Sequence, residues 1–150
     1  MREQTEISTI PRLSNSTLRK LPGDVKIPNY DRGNLTAGIV HIGLGNFHRA
    51  HQSWYLHRLM QQGKAHDWAI VGAGVKEFDK AQRLKLLAQD FLTTIIELSP
   101  GSRAVEIVGS MIDYVPIEAD NGALIAQMAK PEIKIVTLTV TEGGYYIDPV

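Results

Sequence analysis

The sequence predicts an α/β fold in which a largely parallel β-sheet is flanked by helices. From Gly38 onward, apolar runs alternate with amphipathic stretches, which is typical of βα units. The chain has 150 residues, enough for about one domain with a sizeable core. Its 16 Lys and Arg residues balance 16 Asp and Glu residues. We therefore expect no partnership with nucleic acid or with an anionic membrane surface, both of which recruit positive charge.

The N-terminal residues differ from the rest of the chain. Residues 1–37 mix polar residues with three prolines and show no sustained period, so we predict an irregular arm. Residues 38–150 are predicted to form the α/β domain. Its first strand is GIVHIGL, followed by a helix over residues 47–62 that stops at Gly63.

The elements after this helix follow the same alternation. WAIVGAGV reads as a strand and DKAQRLKLLAQ as a helix with a repeating apolar side. Two further strands, FLTTIIEL and AVEIVGSMIDYV, are separated by Ser99, Pro100 and Gly101, which favours a hairpin. DNGALIAQMAK is predicted as a helix with Asp120 as its N-cap, and EIKIVTLTV as a buried strand leading into the loop TEGGYY.

The junction after the first strand carries the clearest chemical signal. Gly43 and Gly45 lie where a strand opens into a helix, and side chains there would keep a pyrophosphate from the free N–H groups of the helix. His48 stands where the common G-x-G-x-x-G pattern has its third glycine, so the pattern is incomplete. A strand that simply turns into a helix is the alternative. The context of strand, helix and second strand, with Arg49 placed to meet phosphate, favours a dinucleotide site.

Three histidines near this junction raise the question of a metal. His48 and His51 are three residues apart, so they share a helix face, and His41 lies upstream on the strand. The chain has no Cys and no H-E-x-x-H pattern, so packing or ligand contacts explain these histidines better, and we expect no metal site. His57 and His66 are expected to be solvated.

A second cluster of glycines and charges follows the second strand. In VGAGVKEFDK, Glu77 and Asp79 are candidates to accept the hydroxyls of an adenosine ribose, and their charge would repel a 2′-phosphate. Lys76 and Lys80 would partly offset that repulsion. The alternative is a solvated helix start with Asp79 as its N-cap. The pattern thus favours NAD and leaves NADP possible.

The cellular compartment can be predicted from the absence of a signal peptide, a membrane-spanning run and Cys. MREQTEISTIPRLSNS lacks the apolar centre of a signal peptide, and no apolar run is long enough to span a bilayer. The absence of Cys agrees with a reducing compartment. We expect a cytoplasmic protein.

Several ordered motifs together resemble the mannitol dehydrogenase family of long-chain polyol dehydrogenases. They are VKIPNYDR, GIVHIGLGNFHRAHQSWYLHRLM, WAIVGAGV and PEIKIVTLTVTEGGYYID, spanning about residues 25 to 148. Within the family, TEGGYYID and Asp79 favour the mannitol-oxidising branch. The resemblance implies a Rossmann-type NAD(P)-binding domain, followed in such enzymes by a helical substrate-binding and catalytic domain that this chain lacks.

The resemblance also implies site residues and a reaction. The glycine-rich element of the family corresponds to Gly43, Gly45, Asn46, Phe47, His48 and Arg49, and its ribose-binding acid to Asp79. Thr141 is expected beside the nicotinamide, and Glu142 is a candidate proton relay or an ordinary loop carboxylate. The expected activity is NAD-dependent interconversion of mannitol and fructose, with a catalytic lysine outside this chain. Arabinitol oxidation, fructuronate or tagaturonate reduction, and a nucleotide-binding module without turnover are the alternatives.

Overall fold

The computed structural model describes residues 12–140. Two 3-10 turns, Leu18–Lys20 and Arg32–Asn34, lie near its start. The strands are β1 Val25–Lys26, β2 Ala37–Ile42, β3 Ala69–Ala73, β4 Thr93–Ser99, β5 Ser102–Val108, β6 Met111–Tyr114 and β7 Ile135–Leu138. The helices are α1 Asn46–Ala50, α2 Gln52–Met60, α3 Asp79–Leu87 and α4 Gly122–Met128.

A four-stranded parallel sheet in the order β6-β3-β2-β7 forms the centre of the described residues. One face packs Ile39 and Ile70 against Leu56 and Met60 of α2 and Leu86 of α3. The other face packs a second core cluster, made by Val40, Val71, Ala73, Val115 and Leu124. Because helices cover both faces, β3 is apolar throughout and β2 is apolar except for the buried His41, in agreement with the apolar runs in the sequence. The α/β prediction is confirmed.

A second sheet projects from the first. Strands β4 and β5 form the predicted antiparallel hairpin, and β1 pairs with β5 in parallel. The predicted strand over residues 104–115 is two strands, because β6 leaves the hairpin after Gly109 and joins the parallel sheet beside β3. A Cβ on Gly109 would lie 2.8 Å from the Arg32 side chain, so the chain passes closely here.

The Arg32 guanidinium is one of the contacts that anchor the N-terminal residues. Arg32 donates from Nε to the Gly109 carbonyl at 2.9 Å, and its Nη2 donates to the carbonyls of Asp90 at 2.8 Å and Met111 at 2.7 Å. A half-buried charge with several acceptors fixes its segment against the domain. The described part of residues 1–37 also contains the two 3-10 turns, Ala37 at the start of β2, and the paired strand β1, so it is less irregular than predicted. The division into an arm and a domain stays a prediction.

The prediction of one continuous helix over residues 47–62 is wrong, because the structure has two helices there. Helix α1 ends at Ala50, and α2 begins at Gln52, because His51 adopts a non-helical backbone with φ −119° and ψ −84°. The His51 ring stacks on Phe47, and its Nδ1 donates to the Phe47 carbonyl at 2.8 Å. The Phe47 carbonyl also accepts the His51 backbone N–H at 3.0 Å, so α1 keeps its last helical hydrogen bond up to the break.

Two other expectations are corrected. Asp120 is not the N-cap of α4; Asn121 takes that position with a left-handed φ of 56°, while the Asp120 carboxylate accepts the Gly122 N–H. Strand β7 is not buried, because it lies at the edge of the sheet that the described residues form. Ile135 and Leu138 are 42% and 59% exposed.

No helix between residues 12 and 140 is long and apolar enough to cross a membrane.

Candidate functional site

The carboxyl ends of three neighbouring strands meet at one edge of the parallel sheet. The Gly43 N–H bonds the Ala73 carbonyl at the end of β3 at 3.0 Å. On the other side of β2, the Thr139 N–H bonds the Ile42 carbonyl at 3.1 Å. The loops that follow β3, β2 and β7 therefore start side by side, at the edge where open parallel sheets bind ligands.

The glycine-rich turn between β2 and α1 is tightly folded. Gly43 has a φ of +93°, which glycine adopts without strain, and its carbonyl accepts the Gly45 N–H at 2.9 Å. Leu44 points inward and fills the space beside Gly72, where an added Cβ would lie 2.2 Å from its Cδ1. Gly45 then faces outward, and a Cβ built on it meets no atom within 4 Å. The turn thus exposes backbone at Gly45 while Leu44 anchors it.

The first turn of α1 offers N–H donors. Its helical bonds begin with the Arg49 N–H and the Gly45 carbonyl, at 3.3 Å. The N–H groups of Asn46, Phe47 and His48 precede that bond and so have no helical acceptor. Arg49 folds back over this turn, where its guanidinium donates to the Leu44 carbonyl and to Asn46 Oδ1. Helix N–H groups and a guanidinium at one point are suited to an anion.

His48 and His41 lie beneath the turn. Both are buried, with 2% and 3% of their surface exposed, and their rings stack with centroids 3.7 Å apart and an interplanar angle of 13°. Burial, with a smaller contribution from the adjacent His41, lowers the pKa of His48 to about 3. The pKa of His41 is also lowered by burial. Both rings are therefore neutral near pH 7.

Asp79 fixes the loop that follows β3. Its Oδ2 accepts the N–H groups of Val75 at 3.1 Å and Lys76 at 3.0 Å. Gly74 permits this approach, since a Cβ there would lie 2.4 Å from the Asp79 Cβ. Asp79 is the first residue of α3 and Phe78 is its N-cap, so the N-cap interpretation of Asp79 is wrong. The other candidate acid, Glu77, instead pairs with Lys80 at 2.8 Å on the surface.

The other residues predicted for the cofactor site or a metal site do not join the group formed by the glycine-rich turn, His41 and His48. Phe47 is 66% exposed and stacks on His51, while His51 turns away from the pair that His41 and His48 form. Within residues 12–140, no group of three or more His, Asp or Glu side chains is arranged to hold a metal ion. Thr141 and Glu142 lie outside the described residues.

Sequence reasoning missed the side chains that support the site. Gln52 and the two threonines Thr137 and Thr139 contact the His41 and His48 rings. The register of β2 and β7 pairs His41 with Thr137, and a register across strands cannot be read from one sequence. Alternation along TLTV does place both threonines on one face.

His57 is a further correction, since it is completely buried rather than solvated. Its Nδ1 accepts the Tyr30 hydroxyl at 2.6 Å, and its Nε2 lies 3.5 Å from Glu106 Oε1. These contacts join the N-terminal segment, α2 and β5. His66 is exposed as expected.

Comparisons with known proteins agree with this architecture. The family described as the mannitol dehydrogenase Rossmann domain matches residues 37–149. Mannitol 2-dehydrogenase of Cereibacter sphaeroides is 59% identical over 121 residues, which are 81% of this chain and 25% of that protein. Mannitol 2-dehydrogenase of Aspergillus fumigatus is 48% identical over 123 residues, with 81% and 24% covered.

Two solved structures are similar to the chain. The Pseudomonas fluorescens mannitol 2-dehydrogenase in ternary complex with NAD and D-mannitol superposes with a TM-score of 0.86 and 43% identity, over 92% of this chain and 28% of that one. A D-sorbitol dehydrogenase in substrate-free form gives a TM-score of 0.79 and 39% identity, over 91% and 28%. The chain spans about a quarter of the length of these relatives. With its fold, its strand-end glycine turn and a family match over most of its length, the chain belongs to the mannitol dehydrogenase family and carries that family's Rossmann domain.

Proposed function

We propose that this chain is the cofactor-binding part of an NAD-dependent polyol dehydrogenase that interconverts D-mannitol and D-fructose. The observation that carries the proposal is the open backbone at Gly45, followed by three helix N–H groups without helical acceptors. A dinucleotide diphosphate needs both features, since it must approach the backbone and meet aligned donors. The NAD bound to the Pseudomonas fluorescens protein supports the same cofactor, and the names of the relatives support mannitol as the substrate.

The residues present fit that cofactor. Asn46, Phe47 and His48 would hold the diphosphate with their N–H groups, and Arg49 lies beside the same turn. Asp79 has one oxygen on the Val75 and Lys76 N–H groups, which leaves Oδ1 to accept ribose hydroxyls. A carboxylate at that position disfavours the 2′-phosphate of NADP. Thr141 would border the nicotinamide, and Glu142 would pass a proton between the active-site mouth and solvent.

The nicotinamide would supply the hydride acceptor for the polyol carbon. The reaction also needs a base for the hydroxyl proton and a clamp for the substrate. In this proposal, a helical domain of the same enzyme supplies both, and the described residues bind and orient the cofactor. We place the enzyme in the cytoplasm, in keeping with its cysteine-free sequence.

A steady-state comparison of substrates tests the proposal. The full-length protein is assayed with NAD and with NADP against mannitol and arabinitol, and in the reverse direction against fructose, fructuronate and tagaturonate. We expect the highest kcat/KM with mannitol and NAD, and with fructose and NADH. A preference for arabinitol or a uronate would assign another branch of the family, and binding of NADH without turnover of any of them would indicate a nucleotide-binding module.

A further inference from the structure

Two buried histidines and two partly buried polar side chains connect the glycine-rich turn to strand β7. Four side chains form a continuous chain, which we call the relay: His48, Gln52, Thr137 and His41. Its links are His48 Nδ1 to Gln52 Oε1 at 3.0 Å, Gln52 Nε2 to Thr137 Oγ1 at 3.3 Å, and Thr137 Oγ1 to His41 Nδ1 at 2.7 Å. His41 Nε2 then lies 3.2 Å from the Gly43 carbonyl and 3.1 Å from the Thr139 hydroxyl. The relay therefore ends on the backbone of the turn itself.

The chemistry of the last acceptor gives the relay a direction. A carbonyl oxygen can only accept, so His41 Nε2 carries the proton, and the neutral ring must accept at Nδ1. The Thr137 hydroxyl donates a hydrogen bond to His41 Nδ1 and accepts one from the Gln52 amide N–H. The Gln52 oxygen remains for His48, which donates from Nδ1. Gln52, Thr137 and His41 therefore each accept one hydrogen bond and donate one along the relay, and every bond runs in the direction from His48 to Gly43.

The position of the relay explains what it can do. The Gly43 carbonyl that accepts from His41 also accepts the Gly45 N–H, so it fixes the peptide that aims the outward face of Gly45. The φ of +93° at Gly43 is favourable for glycine, but it is one of several conformations that glycine adopts. A bond to its carbonyl from a buried, neutral ring selects one of them.

We propose that the relay positions the glycine-rich turn for the cofactor diphosphate, with Thr137 as the residue through which β7 controls it. This inference rests on the proposed function, because it assumes that the turn binds the dinucleotide. Neither Thr137 nor Gln52 needs to touch the cofactor. They are positioning residues that act through His41 and His48.

The test uses a matched set of threonine variants in the full-length protein. Thr137→Val removes the hydroxyl at nearly constant volume and breaks two links, whereas Thr137→Ser keeps the hydroxyl. Thr94→Val, at an exposed position of strand β4, is the control. We expect Thr137→Val to raise the Kd for NADH about threefold to tenfold, the loss expected for one or two net hydrogen bonds. Thr137→Ser and Thr94→Val should bind NADH as the parent does.

A spectroscopic measurement tests the relay even if Thr137→Val does not fold. Long-range ¹H–¹⁵N NMR of the parent reports which nitrogen of each histidine carries the proton. We expect His41 protonated at Nε2 and His48 at Nδ1. The opposite tautomer at His41, or unchanged NADH affinity in a folded Thr137→Val, overturns the relay while leaving the proposed function intact. A parent that binds no NADH overturns the proposed function, and the positioning role with it.

Discussion

Gly45 is the residue at which the cofactor site can be tested with least disturbance of the fold. A Cβ there meets nothing within 4 Å, so a larger side chain is accommodated in the free protein. In the complex, it would occupy the approach of the diphosphate to the backbone. We expect Gly45→Val to melt within about 2 °C of the parent, since its site is open, and to lose measurable NADH binding in a fluorescence titration.

A matched control separates this effect from a general cost of losing glycine. Gly23 also has no atom within 4 Å of an added Cβ and lies outside the site. Gly23→Val should keep the NADH affinity of the parent. Parental affinity in folded Gly45→Val would show that the turn does not hold the diphosphate.

Asp79 tests cofactor choice at the same scale. Asp79→Asn keeps an oxygen for the Val75 and Lys76 N–H groups and removes the charge. The loss of a charge-assisted bond to the ribose should weaken NAD binding by about 1–2 kcal/mol. NADP should lose less, because a repulsion disappears with the charge. Titrations with both cofactors measure the difference, and Glu77→Gln, two residues away on the surface, should change neither. Equal losses for NAD and NADP in Asp79→Asn would contradict the ribose assignment.

At the scale of elements, His48 of α1 packs on His41 of β2, and this contact should make stability depend on pH. The pKa of His48 is about 3 in the folded protein and about 6.5 when unfolded. Below pH 6.5 the unfolded chain therefore binds more protons, and the free energy of unfolding falls as the pH is lowered towards 3. The slope from one such histidine approaches about 1.4 kcal/mol per pH unit.

Urea unfolding at pH 6.5 and pH 4.5 measures this contribution. His48→Gln should be less stable than the parent at pH 6.5 but should lose about 2 kcal/mol less on acidification. An identical pH slope in the parent and His48→Gln would mean that the buried ring does not titrate as described.

Helices and strands could be predicted where the spacing of apolar residues within the segment itself indicates them. Apolar runs gave the strands β2 and β3, and the spacing of leucines gave α3, since burial on both faces or on one side leaves a direct trace in the sequence. The break at His51 lies in the backbone conformation of a single residue, which leaves no such trace in the sequence. The exposure of β7 follows from its position at the edge of the sheet that the described residues form, and the order of strands in a sheet cannot be read from a single segment.

The site was predictable in part for the same reason. The glycines and Asp79 follow strand ends directly, so their neighbourhood follows from a parallel sheet. Thr137 became part of the site through its register with His41, 96 residues away. The burial of His57 depends on Tyr30 and Glu106, which lie on separate segments. Contacts of this kind require the tertiary structure.

At the scale of the whole molecule, the chain spans about a quarter of the length of its relatives. We therefore ask whether this part alone could catalyse the oxidation of a polyol. Hydride transfer from an alcohol needs a positioned base and a second wall for the cleft. The described histidines of the site are buried and neutral, and His41 is committed to Gly43. We expect residues 1–150 alone not to oxidise mannitol at a cofactor occupancy where the full-length enzyme does. If residues 1–150 and the full-length enzyme oxidised mannitol at comparable rates, Glu142 would become a candidate for the catalytic base.

The central claim is that the dinucleotide lies across the carboxyl ends of β3, β2 and β7. A crystal structure of the full-length protein with NAD bound tests it most directly. We expect the diphosphate within hydrogen-bond distance of the N–H groups of residues 46–48, and the adenosine ribose hydroxyls on Asp79. A diphosphate bound elsewhere, or a ribose turned away from Asp79, would contradict it.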